Sequence, residues 1–521
     1  MKNSRSLYFI AGIAFFIVTA AVVLTIYDEP SATTENNAVK TTAPDIKEQI
    51  ELTGTPADNY SPDERDEHCG NSEAKSNQYI QEFDIPTLCT QPLSIITDSD
   101  GKIWFAQTNT GNLAMFDPDS EEFTEYENDQ WDLKRASMIW GIFYTQDDEI
   151  WFTDDVYGSL WKFSIPEKKY FKFGIPTDKG KPYPQKIGFY KDNFVINDFT
   201  GSQVVILKHS DLDDNKIIPT SISIPEGFFT SQASVDSEEN IWFVMWKYQK
   251  ESILVKANSL THETKQFSLP ASINAPNGVS IGPSGNIWIA DTAGSSFYSF
   301  DPENTKVVEF VTSQSPIWTY GNSSGWVKTP ITRPYWNDFD TDGNMWFNQQ
   351  AANRLAVFNP VSESLVEYDI PSKNSKWADC GEMKDCGISQ SFGFTFDDQK
   401  VWFTEWVENK IGVLDTAITI PISLEMTQDK ITMNRGEDKE ILVTVIPKTN
   451  HGIELMFSGN ASSELIKITT DNKPRQLSNQ PLQIPVTIHV DEKIESGQYK
   501  ILLGAQIAGA SVSSYVTVTV I

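Results

Sequence analysis

The chain has 521 residues, of which 39% are hydrophobic and 21% are charged, so it is long enough to bury a sizeable core. Its 71 acidic residues outnumber its 41 basic residues and give a formal net charge of −30. A field of that sign repels phosphate backbones, so we expect no nucleic-acid partner and no binding to anionic lipid surfaces. Cations and basic partners stay open, as does a merely solvated acidic surface.

The first element is an uncharged stretch from Leu7 to Tyr27, long enough to cross a bilayer as a helix. Lys2 and Arg5 precede it and acidic residues follow it, so the positive-inside rule keeps the N-terminus cytoplasmic. We therefore predict a single-pass signal anchor in residues 1–27, with the rest of the chain outside the cell membrane. Cleavage near Thr19 would give a secreted protein instead.

Residues 28–77 are polar and acidic without a sustained hydrophobic period, which predicts a flexible tether. Outside the cytoplasm thiols are expected to be paired, and the chain has four cysteines. Four cysteines allow three connectivities. The simplest joins close neighbours, Cys69 with Cys89 and Cys380 with Cys386, because neither pair has metal-ligand spacing.

A motif that recurs from residue 78 onward decides the fold. Each copy places an apolar run with a central Trp after an Asp/Gly/Asn turn, as in GKIWFAQ and GNMWFNQ. Six copies centre on Trp104, Trp151, Trp242, Trp288, Trp346 and Trp402. One gap between copies is of double length, and Phe194 replaces the Trp midway along it, so there are seven copies.

Each copy divides into four short strands bounded by turns, which is typical of a propeller blade. We predict an all-β fold with a seven-bladed β-propeller over residues 78–420. The segment YIQEFDIP, residues 79–86, has the pattern of a blade-closing strand but precedes the first complete copy. We expect it to pair with the last blade and close the ring, which removes an exposed sheet edge.

Residues 421–521 change to alternating apolar and polar runs such as ILVTVIP and YVTVTVI. This pattern predicts a separate antiparallel β-sandwich of immunoglobulin-like type with seven short strands. It contains no recognisable site, so a spacer or adhesion role is the simplest interpretation.

The segments VWFTEWVENKIGVLD and IWFTDDVYGSLWKF resemble the repeat of the virginiamycin B lyase family. The resemblance covers about residues 78–415 and implies the seven-bladed fold. For the family's streptogramin lyase it also implies a magnesium ion, with catalytic histidines eleven residues before the blade Trp.

This sequence departs from the family at those positions. Tyr335 stands in place of one catalytic His, and Ser391 and Ser389 stand in place of the second His and its Glu. Imidazole can exchange protons near neutral pH, whereas Tyr and Ser need an additional base. The departure argues against the lyase reaction without affecting the fold.

A ligand site is predicted on the face of the disc that carries the starts of the inner strands and the connections between blades. Long loops on a rigid scaffold often carry recognition, and flat aromatic rings suit sugars or flexible peptides. The candidate ligand-binding residues are Trp140, Tyr183, Asn277, Trp318, Trp326, Tyr335 and Trp336.

Oxygen-bearing residues recur three positions after the blade Trp and include Asp154, Asp291 and Glu405. If they meet around the channel they could bind Mg²⁺ or Ca²⁺. A looser resemblance to gluconolactonase-like propellers implies a comparable ring. The alternative is that they are hydrogen-bonded strand ends facing the channel.

We therefore expect a monomeric, membrane-anchored, extracytoplasmic module that recognises a glycan, a peptide or a protein. The alternative is a Mg²⁺- or Ca²⁺-dependent lyase that cleaves a C–O bond, or a lactonase, acting on a cyclic ester. A structural cell-surface protein is a third possibility.

Overall fold

The structure is a computed structural model. It describes residues 60–70, 73–131, 137–177, 180–212, 219–320, 330–450, 452–471 and 473–521. The described helices are α1 (Pro62–His68), α2 (His209–Leu212) and α3 (Ile317–Tyr320), with 3-10 turns at Gln350–Ala352 and Ser375–Trp377. None of the helices in these ranges is long and apolar enough to cross a membrane. The predicted anchor, residues 1–27, lies outside the described residues.

Strand β1 (Ile80–Asp84) precedes the blades, which are numbered in chain order, each from its innermost strand. Blade 1 contains β2 (Pro92–Thr97), β3 (Ile103–Gln107), β4 (Leu113–Asp117) and β5 (Glu122–Tyr126). Blade 2 contains β6 (Ile142–Thr145), β7 (Glu149–Asp154), β8 (Ser159–Ser164) and β9 (Lys169–Gly174). Blade 3 contains β10 (Pro184–Tyr190), β11 (Asn193–Asp198), β12 (Gln203–Lys208) and β13 (Thr220–Ser223).

The inner strand of blade 4 is interrupted. Blade 4 contains β14 (Phe229–Thr230), β15 (Ser234–Val235), β16 (Asn240–Lys247), β17 (Glu251–Asn258) and β18 (Thr264–Ser268).

Blade 5 contains β19 (Pro276–Ile281), β20 (Ile287–Asp291), β21 (Ser296–Phe300) and β22 (Val307–Val311). Blade 6 contains β23 (Pro334–Phe339), β24 (Met345–Gln349), β25 (Arg354–Asn359) and β26 (Ser364–Asp369). Blade 7 contains β27 (Ser391–Asp397), β28 (Lys400–Glu405) and β29 (Lys410–Asp415).

The seven sheets form a closed ring. Their innermost strands contact one another in cyclic order, including β2 of blade 1 with β27 of blade 7. Strand β1 pairs antiparallel with β29, with Phe83 opposite Ile411, and supplies the fourth strand of blade 7. The predicted closure of the ring by the N-terminal strand is therefore confirmed.

In three blades an Asp that precedes the blade Trp by six residues stabilises the hairpin turn. Asp98 Oδ2 accepts a hydrogen bond from Trp104 Nε1 at 2.7 Å, while Asp98 Oδ1 accepts from the backbone N–H of Lys102. Gly101 completes the turn at a φ of 74°, which favours glycine. Asp340 makes the same contact with Trp346 at 2.8 Å. These Asp residues therefore fix the hairpin and the ring of their own blade.

The C-terminal region forms two sheets with a shared apolar core. Its strands are β30 (Ile422–Met426), β31 (Lys430–Met433), β32 (Asp438–Pro447), β33 (Ile453–Ala461), β34 (Ile466–Thr469), β35 (Arg475–Leu477), β36 (Leu482–Val490), β37 (Gly497–Ile507) and β38 (Ala510–Val520). One sheet has the order β30-β32-β36-β34, and the other contains β31, β38, β37, β33 and β35. The region thus has nine strands rather than the predicted seven, and β31 pairs parallel with β38. Its immunoglobulin-like type stays a prediction.

The C-terminal sandwich is joined to the propeller through a shared sheet and a shared core. Strand β38 pairs antiparallel with β26, the outermost strand of blade 6, with Val512 opposite Val366. One nine-stranded sheet therefore runs from the channel to the far side of the sandwich. A single buried cluster also includes Trp346 of blade 6, Leu414 of blade 7 and Val443 of the sandwich. Alternation along a strand reveals which face is buried but not which edge is paired.

The end of the predicted tether is also ordered. Ser61 caps α1 by accepting from the N–H of Glu64, whose side chain accepts from the N–H of Ser61. The SPDE sequence therefore contains a capping box with Pro at the first helical position, a signal that hydrophobic periodicity alone does not reveal. The Cys69–Cys89 and Cys380–Cys386 disulfides form as predicted.

Candidate functional site

Aromatic side chains fill the centre of the predicted ligand face. Trp140 of blade 2 lies 6.3 Å from Tyr335 of blade 6 and 5.7 Å from Phe392 of blade 7, between ring centroids. Trp140, Tyr335 and Trp336 are only 2–3% exposed. These three predicted ligand-binding rings are therefore buried rather than open to solvent. Each lies at the start of an inner strand or, for Trp140, two residues before it, so the ring geometry brings them together across the axis as an aromatic plug.

Polar groups support the plug from blade 2. Asp155 accepts hydrogen bonds from Trp140 Nε1 at 3.3 Å and from the backbone N–H of Met138 at 3.1 Å. Burial raises the pKa of Asp155, while hydrogen bonds, including one with Tyr183, oppose that rise. These hydrogen bonds hold the Trp140 ring in place, and both carboxylate oxygens of Asp155 take part in them.

Two ionisable side chains, Lys186 and Asp338, lie along the same channel. Lys186 Nζ lies 4.8 Å from the centroid of the Trp336 ring, and burial lowers the pKa of Lys186 to about 8 despite the nearby Asp338. Burial also raises the pKa of Asp338. The Asp338 side chain keeps contact with solvent, and the backbone N–H of Phe339 and the charge of Lys186 both oppose the rise of its pKa.

The N-terminal helix covers one side of the face. The buried His68 ring at the end of α1 lies 6.0 Å from Trp377 and 6.5 Å from Trp406, between ring centroids. Trp377 Nε1 donates to the Glu67 carbonyl at 2.8 Å. Burial lowers the pKa of His68 to about 4, so the ring is neutral at physiological pH. The Cys69–Cys89 disulfide ties this cap to the propeller.

The opposite side of the face, on blades 3 to 5, is more open. Tyr183, Phe229 and Tyr248 are each half-buried. Phe229 lies 4.9 Å from the Phe199 ring, and Tyr183 lies 6.1 Å from that ring. We call Tyr183, Phe229 and Tyr248 the aromatic rim. Arg333, also half-buried, interacts electrostatically with Tyr248 and adds positive charge beside it.

The remaining predicted ligand residues differ in position. Asn277 is buried and donates to the Thr292 hydroxyl at 2.9 Å, so it supports the inner strand of blade 5. Trp318 is half-buried on α3, where its carbonyl accepts from the N–H of Gly387 at 2.8 Å. Trp326 lies outside the described residues.

The predicted metal ligands do not converge. Asp154 accepts from Trp161 Nε1 and from the N–H of Tyr157, both at 2.5 Å. Asp291 accepts from the N–H groups of Asn274 and Ala275 at 3.0 and 2.7 Å. Across the ranges that the structure describes, no three His, Cys, Asp or Glu side chains are grouped to hold a metal ion. The proposed ring of Asp154, Asp291 and Glu405 is therefore not formed.

The amides at two other second-strand ends point outward, toward the fourth strand of their own blade. Gln107 Nε2 donates to Glu125, and Gln349 Nε2 donates to Glu367 at 2.6 Å. The fourth-strand partner is the Glu of the repeated Glu-aromatic pair in FTEYE and LVEYD. That repeat is the sequence signal that could have revealed the true direction of these side chains.

In blade 7 both members of this pair are acidic. The fully buried Glu405 faces Glu82 of β1, and burial, followed by the Glu82 charge, raises the pKa of Glu405 well above its usual value. Glu82 accepts from the N–H and the hydroxyl of Ser372 at 2.7 and 2.6 Å. Lys410 Nζ lies 3.2 Å from Glu408 Oε2 in the same buried group. A protonated Glu405 therefore contributes to ring closure rather than to a metal site.

The positions that correspond to the family's catalytic pair carry no acid–base site. Ser389 is buried and donates to Asn353 Oδ1 at 2.9 Å. Ser391 is also buried, with Asn348 Nδ2 at 3.4 Å from its hydroxyl, and Tyr335 belongs to the plug. Burial raises the pKa of Tyr335, so its phenol stays protonated. These three side chains hold the structure together.

The comparisons with known proteins agree on the fold. A streptogramin B lyase structure is 19% identical with a TM-score of 0.50, covering 65% of this chain and 97% of that one. Virginiamycin B lyase from Staphylococcus aureus is 18% identical with a TM-score of 0.51, covering 66% and 99%, and the same values hold for its catalytically inactive variant with quinupristin. No curated protein matches the chain. The model of the virginiamycin B lyase family matches residues 35–297, about half of the chain, and the chain therefore belongs to that family.

Proposed function

We propose that the protein is a membrane-anchored, outward-facing recognition module that binds a polypeptide segment on the aromatic rim. The observation that carries this proposal is the aromatic plug. Because Trp140, Tyr335 and Phe392 fill the axis, a ligand would rest on the face instead of entering the channel.

The chemistry of the rim suits a peptide. Tyr183, Phe229 and Tyr248 offer partly exposed rings that can bury apolar side chains, and the Tyr248 hydroxyl can bond a backbone. Arg333 beside Tyr248 would attract an acidic group of the ligand. A glycan could use the same rings, so it is the main competing ligand.

The two disulfides support an oxidising compartment, and the uncharged stretch Leu7–Tyr27 supports attachment to the cell membrane. The lyase alternative is not favoured, because Tyr335, Ser389 and Ser391 are all engaged in internal packing or hydrogen bonds.

Two assays on the purified full chain test this proposal. Incubation with quinupristin and Mg²⁺, followed by mass spectrometry, should leave the compound intact; ring opening would contradict a binding role. Panning of a displayed peptide library should enrich peptides whose binding is lost in Tyr248→Ala. Phe171→Ala, at an exposed ring on an outer strand of blade 2, is the matched control and should bind normally. Enriched peptides that bind Tyr248→Ala equally well, or glycan-array binding without peptide binding, would overturn the proposed ligand.

A further inference from the structure

A cleft lies on the flank of the disc, between blade 5 and the C-terminal sandwich. It has a volume of about 850 Å³, which is within the usual range for ligand sites. Glu309 and Phe310 of β22 line one wall, while Gln498 and Tyr499 of β37 line the other. Val361, 95% exposed on the outer hairpin of blade 6, lies at one end.

The two walls are held in fixed positions. Tyr515 Oη donates to the Val311 carbonyl at 2.5 Å, and Asn460 Nδ2 donates to the Thr312 carbonyl at 2.9 Å. The β26–β38 pairing joins the same two units through the neighbouring blade. The cleft is therefore preformed, which lowers the entropic cost of binding a ligand.

The charge of the cleft differs from that of the chain. Lysines outnumber carboxylates here, although acidic residues outnumber basic ones 71 to 41 overall. Three lysines, Lys306, Lys430 and Lys500, and two glutamates, Glu309 and Glu363, line the cleft.

Contacts within the cleft leave the positive charge in excess. Lys500 is neutralised by an ion pair with Glu363, and Glu309 accepts from Ser296 and Tyr298 hydroxyls. Lys306 contacts the neutral Gln498 side chain at 2.9 Å. Among the described residues, neither Lys306 nor Lys430 has a carboxylate partner within 4.0 Å.

Apart from its apolar residues, which are mainly prolines, valines and buried rings, the cleft is lined by hydroxyls, amides and the partly exposed Tyr499 ring. Thr517 and Thr519 of β38 alternate along the sandwich wall, and Tyr499 is half-buried beside them. Hydroxyls and amides can hydrogen-bond a polyhydroxylated ligand, and a Tyr ring can stack on a sugar face. Lys306 and Lys430 stand on opposite walls, an arrangement that suits carboxylates spread along a chain better than one compact phosphate.

We propose that this cleft binds a carboxylate-bearing oligosaccharide, with Lys306 and Lys430 pairing its uronate groups and Tyr499 stacking on a sugar ring. The site is independent of the aromatic rim, because it lies on the flank of the disc and uses none of the rim residues.

Calorimetric titration of the full chain with a hyaluronan tetrasaccharide tests the proposal, with chitotetraose as the neutral comparison. We expect binding of the uronate-containing probe that weakens with added salt. The K306Q/K430Q double variant should bind roughly three- to tenfold more weakly, because each exposed charge pair contributes modestly. Tyr499→Ala should weaken binding of the same probe by a comparable factor.

K467Q/K473Q is the matched control, since it removes two exposed lysines of the sandwich that do not line the cleft. It should leave the affinity unchanged. The absence of binding by the wild-type chain would overturn the proposal. Equal affinity for the neutral probe, or an affinity unaffected by K306Q/K430Q, would overturn it as well.

Discussion

Blades 6 and 7 each pair with a strand from outside the seven copies of the repeat, but with different results. Blade 7 contributes three of its own strands and receives β1 as the fourth. Blade 6 already has four strands and receives β38 as a fifth. The same antiparallel edge pairing thus completes one sheet and extends the other. The outer edge of β26 is thereby covered, which removes the usual hazard of an unpaired strand, whereas in blade 7 β1 becomes the outermost strand and bridges only to Ser76 on its outer side.

The polar pairs behind these edges differ in the same way. In blade 6 an amide, Gln349, donates to the carboxylate of Glu367, with Arg354 nearby. In blade 7 the corresponding residues are two carboxyls, Glu405 and Glu82. An amide–carboxylate pair is insensitive to pH near neutrality, whereas a pair of carboxyls needs a proton. The closing blade is therefore the pH-sensitive one of the two.

The largest expected effect comes from breaking the closure of blade 7 with Gln81→Pro. Asp415 N–H donates to the Tyr79 carbonyl, while Glu82 N–H donates outward to Lys75. Alternation therefore points the Gln81 N–H toward β29, where proline cannot donate. We expect a loss of roughly 3 kcal/mol in the free energy of unfolding, measured by thermal or urea denaturation.

Gln81→Ala is the control for this change, because it removes the same exposed side chain and keeps the N–H. It should cost less than about 0.5 kcal/mol. Equal stability of the two variants would mean that β1 does not close the ring as described.

A smaller effect is expected from breaking the junction of blade 6 with Ser511→Pro. The bonds from Tyr515 N–H to Glu363 and from Asp369 N–H to Gly509 place the Ser511 N–H toward β26. We expect a loss of about 2 kcal/mol, since the contacts of Tyr515 and Asn460 with blade 5 still hold the sandwich in place.

Hydrogen exchange distinguishes a local effect from a global one. In Ser511→Pro the amides of 364–368 should exchange faster than in Ser511→Ala, while those of β1 should not change. Faster exchange throughout the propeller would contradict the view that the junction only extends blade 6.

The smallest expected effect concerns pH and Glu405→Gln. The folded-state pKa of Glu405 is raised, so its contribution to stability is fully present below about pH 4.5, its unfolded value, and is lost as the pH rises through the folded-state pKa. An amide at this position makes blade 7 resemble blade 6. We expect Glu405→Gln to gain on the order of 1 kcal/mol at pH 8 relative to the wild type, with a smaller gain at pH 5.

Glu367→Gln in blade 6 is the matched comparison for the melting temperatures. It removes a charge beside Arg354 and should destabilise the protein at both pH values. A Glu405→Gln variant whose melting temperature follows the wild-type pH dependence would contradict the assignment of a protonated Glu405.

Much of the ring could be predicted from the sequence, because its elements are local and repeated. The Trp or Phe of each copy marks the second strand, and in three blades an Asp six residues earlier accepts from the indole N–H, as in Asp98 and Trp104. The closing role of β1 followed from its likeness to the other fourth strands. The repeat therefore carries the register as well as the number of blades.

The site was less predictable, because the direction of a side chain depends on its neighbours in space. Spacing from the Trp located Glu405 at a strand end but did not show that Glu82, more than 300 residues earlier, lies opposite it. Trp140 and Tyr335 were predicted at inner-strand starts, yet only the diameter of the channel decides whether such rings face solvent or each other. The pairing of β38 with β26 likewise depends on edges, which alternation does not reveal.

The pairing of Phe83 with Ile411 also has a consequence for biosynthesis. Strand β1 is made more than 300 residues before β29, which at translation speeds of about 5–20 residues per second is a delay on the order of 20–60 seconds. During that interval the nascent strand must avoid foreign partners, and the charges of Glu82 and Asp84 disfavour such pairing. The propeller can close through the β1–β29 pairing only after most of the polypeptide has been synthesised.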